Sequence, residues 1–166
     1  RRNLNVRVLG SLDLRTLKAN GEPSDFSKRA DRREARELIN RTQPDWIIGS
    51  PPCTPYSIWN FGINYKKMDP EAVRQLLDDG RQHLRFVCSL YRRQIARGKF
   101  FLHEHPAYAT SWQEACVRKI LEEPDVVAVV GDQCMYGSQS FDGQPVKKPT
   151  RFMTNAPEMA KRLGTK

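Results

Sequence analysis

Cys53 lies in Gly49-Ser50-Pro51-Pro52-Cys53-Thr54-Pro55-Tyr56-Ser57, directly after the apolar run Trp46-Ile47-Ile48. A strand that ends in Gly-Ser and two prolines delivers a thiol onto a stiff loop. Each proline fixes φ at about −65° and restricts the residue before it. At the carboxyl edge of an open α/β sheet, where ligands bind, such a thiol is placed as a nucleophile: exposed, held still and outside the core. The competing assignment is a small buried hydrophobe, a common fate of free cysteine, but Pro-Pro-Cys-Thr-Pro is poor material for a sheet interior. A second apolar run, Phe100-Phe101-Leu102, leads into His103-Glu104-His105-Pro106. Cysteine and glutamate on neighbouring strand ends suit covalent catalysis on an electron-poor ring. The thiolate adds to the ring, and the carboxyl group binds or protonates a ring nitrogen. A cysteine hydrolase or transferase would instead use His103 or His105 as its base. His-Glu-His offers no evident third ligand, so no metal site is predicted.

The elements that would position these groups can be traced along the chain. Val6-Arg7-Val8-Leu9 reads as a strand that ends at Gly10-Ser11, with Asp13 just beyond. Residues 18–28 form a loop, and Ser27 or Asp31 caps a helix that runs to about Arg41. Trp46-Ile47-Ile48 is a buried strand, and residues 56–68 are a loop rich in aromatic and amide groups. Asp69-Pro70-Glu71 opens a long helix, whose stripe of Val73, Leu76, Leu77, Leu84, Val87, Cys88, Tyr91 and Ile95 has helical spacing and places Cys88 in the core. Gly98 stops it. Phe100 to Leu102 is the next strand, followed by a helix over residues 111–122 that contains Cys116. Val126 to Val130, nearly all β-branched, is another strand. The loop from Gly137 to Pro149 leads to a last strand near Thr150 to Met153, and Pro157 opens a terminal helix. Short buried strands alternating with helices predict an α/β fold: a Rossmann-like, mostly parallel sheet with helices on both faces. Asp13, Cys53 and Glu104 would then share one rim.

The 166 residues suit a single domain, 1–166, with a usable core. Lys and Arg number 28 against 19 Asp and Glu, a formal charge of +9 that favours a polyanionic partner, most simply nucleic acid. No apolar run approaches a membrane span, and no signal peptide is visible. The four cysteines form no Cys-x-x-Cys pair, which points to reduced thiols in an intracellular setting, nucleus or cytoplasm. The first residue is Arg, so the chain reads as a piece of a longer product.

Gly49 to Ser57 resembles the Pro-Cys nucleophile motif of DNA (cytosine-5) methyltransferases, Gly-(Gly or Ser)-Pro-Pro-Cys-Gln-x-Phe-Ser. Glu104 matches the glutamate of that family's Glu-Asn-Val motif. Arg151, in Lys148-Pro149-Thr150-Arg151-Phe152, corresponds to the first arginine of its Gln-x-Arg-x-Arg motif. Asp13 resembles the strand-end aspartate that contacts the adenine of S-adenosylmethionine. The set is also similar to methyltransferase-like segments of mobile-element polyproteins. The resemblance implies Cys53, Glu104 and Arg151 as catalytic residues, and Asp13, Pro51 and Pro52 as contacts to S-adenosylmethionine. It implies DNA as substrate, with Cys53 attacking carbon 6 of a flipped cytosine, Glu104 engaging ring nitrogen 3, and carbon 5 receiving the methyl group. The chain departs from the family at Thr54 for Gln, at His105-Pro106 for Asn-Val, and at Met153 for the second Arg. A first strand with its Gly-rich cofactor loop, a target-recognition domain and the final motif are all missing. The resemblance therefore implies an incomplete cofactor site, finished by an upstream segment or a second chain, or else a nucleic-acid-binding module derived from such an enzyme and no longer catalytic.

Overall fold

The structure is a computed structural model and describes residues 6–164. The chain divides into two compact units, Arg1–Pro44 and Asp45–Lys166.

In the first unit, the strand expected at Val6 to Leu9 does not form. These residues are exposed and pair with no strand among the described residues. Four residues with no neighbouring strand bury too little to hold an extended conformation. Asp13 therefore ends no strand. The helix of this unit, α1 (Arg29–Thr42), starts before Asp31, and its N-cap Lys28 makes no side-chain cap bond. Asp31 sits inside the first turn and accepts from the Asp25 N–H at 2.7 Å and from Lys18 Nζ at 3.0 Å. It ties the preceding loop to the helix instead of capping it. Ala35 and Ile39, four residues apart, are buried on one face of the helix.

The second unit contains β1 (Trp46–Gly49), α2 (Pro70–Ala96), β2 (Phe100–Pro106), α3 (Ala115–Leu121), β3 (Val127–Asp132), β4 (Pro149–Thr154) and α4 (Pro157–Leu163). Asp69 caps α2 by accepting from the Ala72 N–H at 3.0 Å, with Pro70 in the first turn as expected. The carboxyl-terminal half of α2 buries Leu84, Val87, Cys88 and Tyr91. The expected irregular stretch after Tyr56 is largely helical: a π-helical turn at Asn60–Asn64 runs into a 3-10 turn at Tyr65–Lys67.

The strands lie in the order β1-β2-β4-β3. β1 and β2 are parallel, while β4 is antiparallel to both β2 and β3. The sheet is thus mixed, not mostly parallel. The cause is the connection: α2 carries the chain from β1 back to a parallel β2, whereas β3 and β4 are joined without a crossover helix and so pair antiparallel. β1, β2 and β3 nevertheless point the same way. Their carboxyl ends share one rim with the start of β4. β1 is an edge strand, so Ile48 is 72% exposed and the strand is not buried as expected.

Helices cover both faces. On one, Tyr91 of α2 stacks on Phe101 with centroids 4.5 Å apart, beside His103. On the other, Gly164 just past α4 lies against Val129, and Tyr136 packs on Phe152 and donates to the Leu163 carbonyl. Among the described residues, no helix is long and apolar enough to cross a membrane.

Candidate active site at the carboxyl rim of the sheet

β2 runs to Pro106 because β4 pairs with it that far, Pro106 opposite Thr150. His103, Glu104 and His105 are therefore strand residues and not a loop beyond Leu102. Side chains alternate along a strand, so Glu104 leaves one face and the two histidines leave the other.

Three consecutive residues from the end of β1, Gly49, Ser50 and Pro51, are fastened to these three. Gly49 lies against Tyr91: a Cβ there would clash with the Tyr91 hydroxyl oxygen. That hydroxyl is hydrogen-bonded to His103 Nδ1 at 3.0 Å. Ser50 Oγ donates to the Glu104 carboxylate. The Pro51 carbonyl accepts from His105 Nε2 at 2.8 Å, and His105 Nδ1 meets Ser111 Oγ at 2.7 Å. A carbonyl only accepts, so His105 carries its proton on Nε2 and takes the Ser111 hydrogen at Nδ1. The loop straddles the end of β2, held from both faces.

Cys53 follows, half-buried, at the start of the 3-10 turn Thr54–Tyr56, and its carbonyl accepts from the Tyr56 N–H at 2.9 Å. The turn is seated on α2 at Gly80, where a Cβ would lie 3.0 Å from Pro55 Cβ. Glycine in a helix interior is unfavourable by about 1 kcal/mol against alanine, and the seat explains its presence. The Tyr56 ring is buried with its hydroxyl unpartnered among the described residues, and burial, then Glu114, pushes that hydroxyl's pKa up. Beside the loop is a pocket of about 680 Å³ walled by Pro52, Thr54, Pro55, Asn60 and Tyr65.

Glu104 has one oxygen bound by Ser50, while Oε1 is a buried acceptor with no partner among the described residues. A buried carboxylate oxygen left unpaired is costly, and it is the kind of group a ligand N–H satisfies. The histidines are placed differently. Burial, with His105 as a smaller cause, pushes His103 down to about 3, and burial lowers His105 as well. Both His105 nitrogens are occupied, and His103 Nδ1 is taken by Tyr91. Neither ring is hydrogen-bonded to Cys53 among the described residues, which weakens the hydrolase assignment.

Arg151 pairs with His105 across β2 and β4. Its side chain therefore leaves the face opposite to Glu104, and its guanidinium lies 4.6 Å from the centre of the Trp112 ring. Arg151 and Glu104 are not brought onto one face. Of the residues expected to touch S-adenosylmethionine, Asp13 belongs to the first unit. Its carboxylate is taken up by Ser11 Oγ, the Arg15 and Thr16 N–H groups and Thr16 Oγ1. These bonds, Ser11 first, hold it well below the usual carboxylate range. Pro51 is buried with its carbonyl spent on His105, and Pro52 is exposed at the pocket wall. These three residues do not fit as a site for that cofactor.

The roles of Tyr91, Ser111 and Gly80 escaped the sequence reading. The one available signal was Gly80, a glycine inside a long helical pattern. Compared with protein-family models, with curated proteins and with solved structures, the chain matches none.

Proposed function

We propose that the unit Asp45–Lys166 carries a cytosine-capturing nucleophile site of the DNA (cytosine-5) methyltransferase kind, on a Rossmann-like sheet. The observation that carries this reading is the junction of the Cys53 loop to Glu104 through Ser50, with Glu104 Oε1 left unpartnered. Two groups on adjacent, parallel strand ends are thereby coupled. In this mechanism the Cys53 thiol gives its proton to solvent and the thiolate forms a bond to carbon 6 of the ring, breaking the π bond between carbons 5 and 6. The displaced electron pair moves onto the ring, and Glu104, having taken a proton from solvent on Oε1, donates it to ring nitrogen 3. Carbon 5 becomes electron-rich.

The spent carboxylate of Asp13 favours a second reading: a nucleic-acid-binding module that keeps the nucleophile loop without the methyl donor. One experiment separates the two. DNA bearing 2-pyrimidinone, a ring more electrophilic than cytosine, is incubated with the protein without any methyl donor, and adducts are resolved on denaturing gels. DNA bearing 5-fluorocytosine is run in parallel with S-adenosylmethionine added. Capture of pyrimidinone by wild type and by Cys88→Ser, and its loss in Cys53→Ser, is expected. Equal capture by Cys53→Ser would sink the nucleophile assignment. A stable fluorocytosine adduct that needs the methyl donor selects the methyltransferase reading over the module.

A further inference from the structure

We propose that residues 57–68 form a stacking surface for the unpaired bases of a single-stranded nucleic acid led to Cys53, an inference that rests on the reading above and specifies its substrate. The segment is built on the nucleophile turn. Asn60 Nδ2 donates to the Thr54 carbonyl at 2.6 Å, and the Tyr65 hydroxyl donates to the Pro55 carbonyl at 2.8 Å. Asn64 donates to Asn60 at 2.7 Å, and Phe61 meets Tyr65 edge-on at 5.1 Å. A segment anchored this well could bury its apolar side chains, yet it turns them outward. Trp59 is 70% exposed, and Ile58, Phe61 and Ile63 are exposed beside it. Clustered exposed apolar side chains mark an interaction surface.

The chemistry of the surroundings chooses the occupant. Lys66 and Lys67 follow directly, and no Asp or Glu occurs from residue 46 to residue 68 in a chain otherwise rich in both. An apolar protein partner requires no such exclusion of acids, whereas a polyanion does. Exposed rings beside cations, with no acid among them, match a strand whose phosphates meet the lysines and whose bases stack on the rings. In a continuous duplex the base faces are hidden. Stacking on Trp59 therefore requires unpaired bases, and a target base already unpaired needs no extrusion to reach Cys53.

The test is binding of a labelled single strand and its duplex, read by fluorescence anisotropy over a range of salt. The single strand is expected to bind more tightly. Trp59→Ala should weaken it about tenfold, the scale of one lost base stack, and Trp59→Phe should restore most of that. The salt dependence should be unchanged in Trp59→Ala and shallower in the double variant Lys66→Ala, Lys67→Ala. Trp59 is exposed, and circular dichroism confirms that its variants fold. Wild-type affinity in Trp59→Ala overturns the proposal. So does a Trp59-dependent association with uncharged phosphatidylcholine vesicles, or a Trp59-dependent self-association in sedimentation, that leaves strand binding untouched. Normal pyrimidinone capture with no Trp59 effect removes the stacking surface alone. A Trp59 effect without capture removes the nucleophile alone.

Discussion

The ends of β1 and β3 are built from the same parts. Each strand points to the same rim, and each is followed by a 3-10 turn, Thr54–Tyr56 after one and Gln133–Tyr136 after the other. Each turn carries a half-buried cysteine at or near its start, Cys53 and Cys134. Their fastening differs. The β1 loop is stiffened by Pro51 and Pro52 and held by Ser50, His105 and the Tyr91–Gly49 contact. The β3 turn is held by backbone bonds, Gln133 N–H to Lys148 and Ser138 N–H to Gln133, by Tyr136, which packs on Phe152 and donates to the Leu163 carbonyl, and by a looser Lys147–Asp132 pair at 3.8 Å. β1 has β2 beside it, which carries the Glu104 carboxylate near its end. β3 has β4, which starts where β3 ends, with Pro149 opposite Asp132. A thiol at a strand end becomes a candidate nucleophile through the neighbouring strand's end, not through its own position.

The largest expected effect tests this contrast directly. Cys53→Ser should reduce pyrimidinone capture to background, and Cys134→Ser should leave it unchanged. Cys116→Ser belongs in the same series as a control, because the hydrogen bond with the Cys88 thiol holds the Cys116 thiol below its ordinary value. Loss of capture in Cys134→Ser would erase the distinction between the two ends.

The next effect concerns the buried histidine under the β1 loop. The folded protein binds a proton at His103 only near pH 3, while the unfolded chain binds one below about pH 6.5. Between these values the unfolded state holds more protons. The contribution is therefore complete above pH 6.5 and falls as the pH drops toward 3, by up to about 5 kcal/mol. His103→Gln should flatten that slope relative to wild type in denaturant titrations. All three tryptophans, Trp46, Trp59 and Trp112, lie in the second unit, so their fluorescence reports that unit alone. Parallel pH profiles for the two proteins would contradict the buried, neutral state of His103.

Gly49→Ala should destabilise the same unit by about 2 kcal/mol through overpacking against Tyr91. Tyr91→Phe in that background should recover part of the loss, since it removes the oxygen that the new methyl group meets. A neutral Gly49→Ala would mean that the loop is free to lift off β2. The smallest effect belongs to the β3 end. Lys147 is mostly exposed, so Lys147→Ala should change stability by less than about 1 kcal/mol, and less still at high salt.

Much of the second unit was legible because its signals are local. Asp69-Pro70 fixes the start of α2 and Gly98 its end. The five apolar residues from Val126 to Val130 mark β3. Pro-Pro-Cys announces a stiff loop whatever surrounds it. The adjacency of β1 and β2, which brings Ser50 to Glu104, was also readable, since a helical crossover favours parallel neighbours. The face that Arg151 takes was not legible, for a register reason. Period-two alternation shows which residues share a face within β4, but not which face of β2 they join. Only the pairing of Arg151 with His105 decides that. The Val6 to Leu9 strand failed because β-branched residues in alternation describe what a sheet accepts, not whether a sheet is present.

The sequence by itself determined the chemistry on offer: a thiol on a proline-stiffened loop, a glutamate between two histidines, and an acid-free aromatic stretch. Covalent structure alone sets these, because ring closure in proline, side-chain type and charge need no partner. The tertiary structure decided what each group faces. It spent His105 and Ser50 on holding the loop, buried His103 out of reach of protons, and left one oxygen of Glu104 without a partner. Contacts between residues some fifty positions apart depend on strand order and register, and these are fixed by the burial of whole faces at once rather than by any local run of residues.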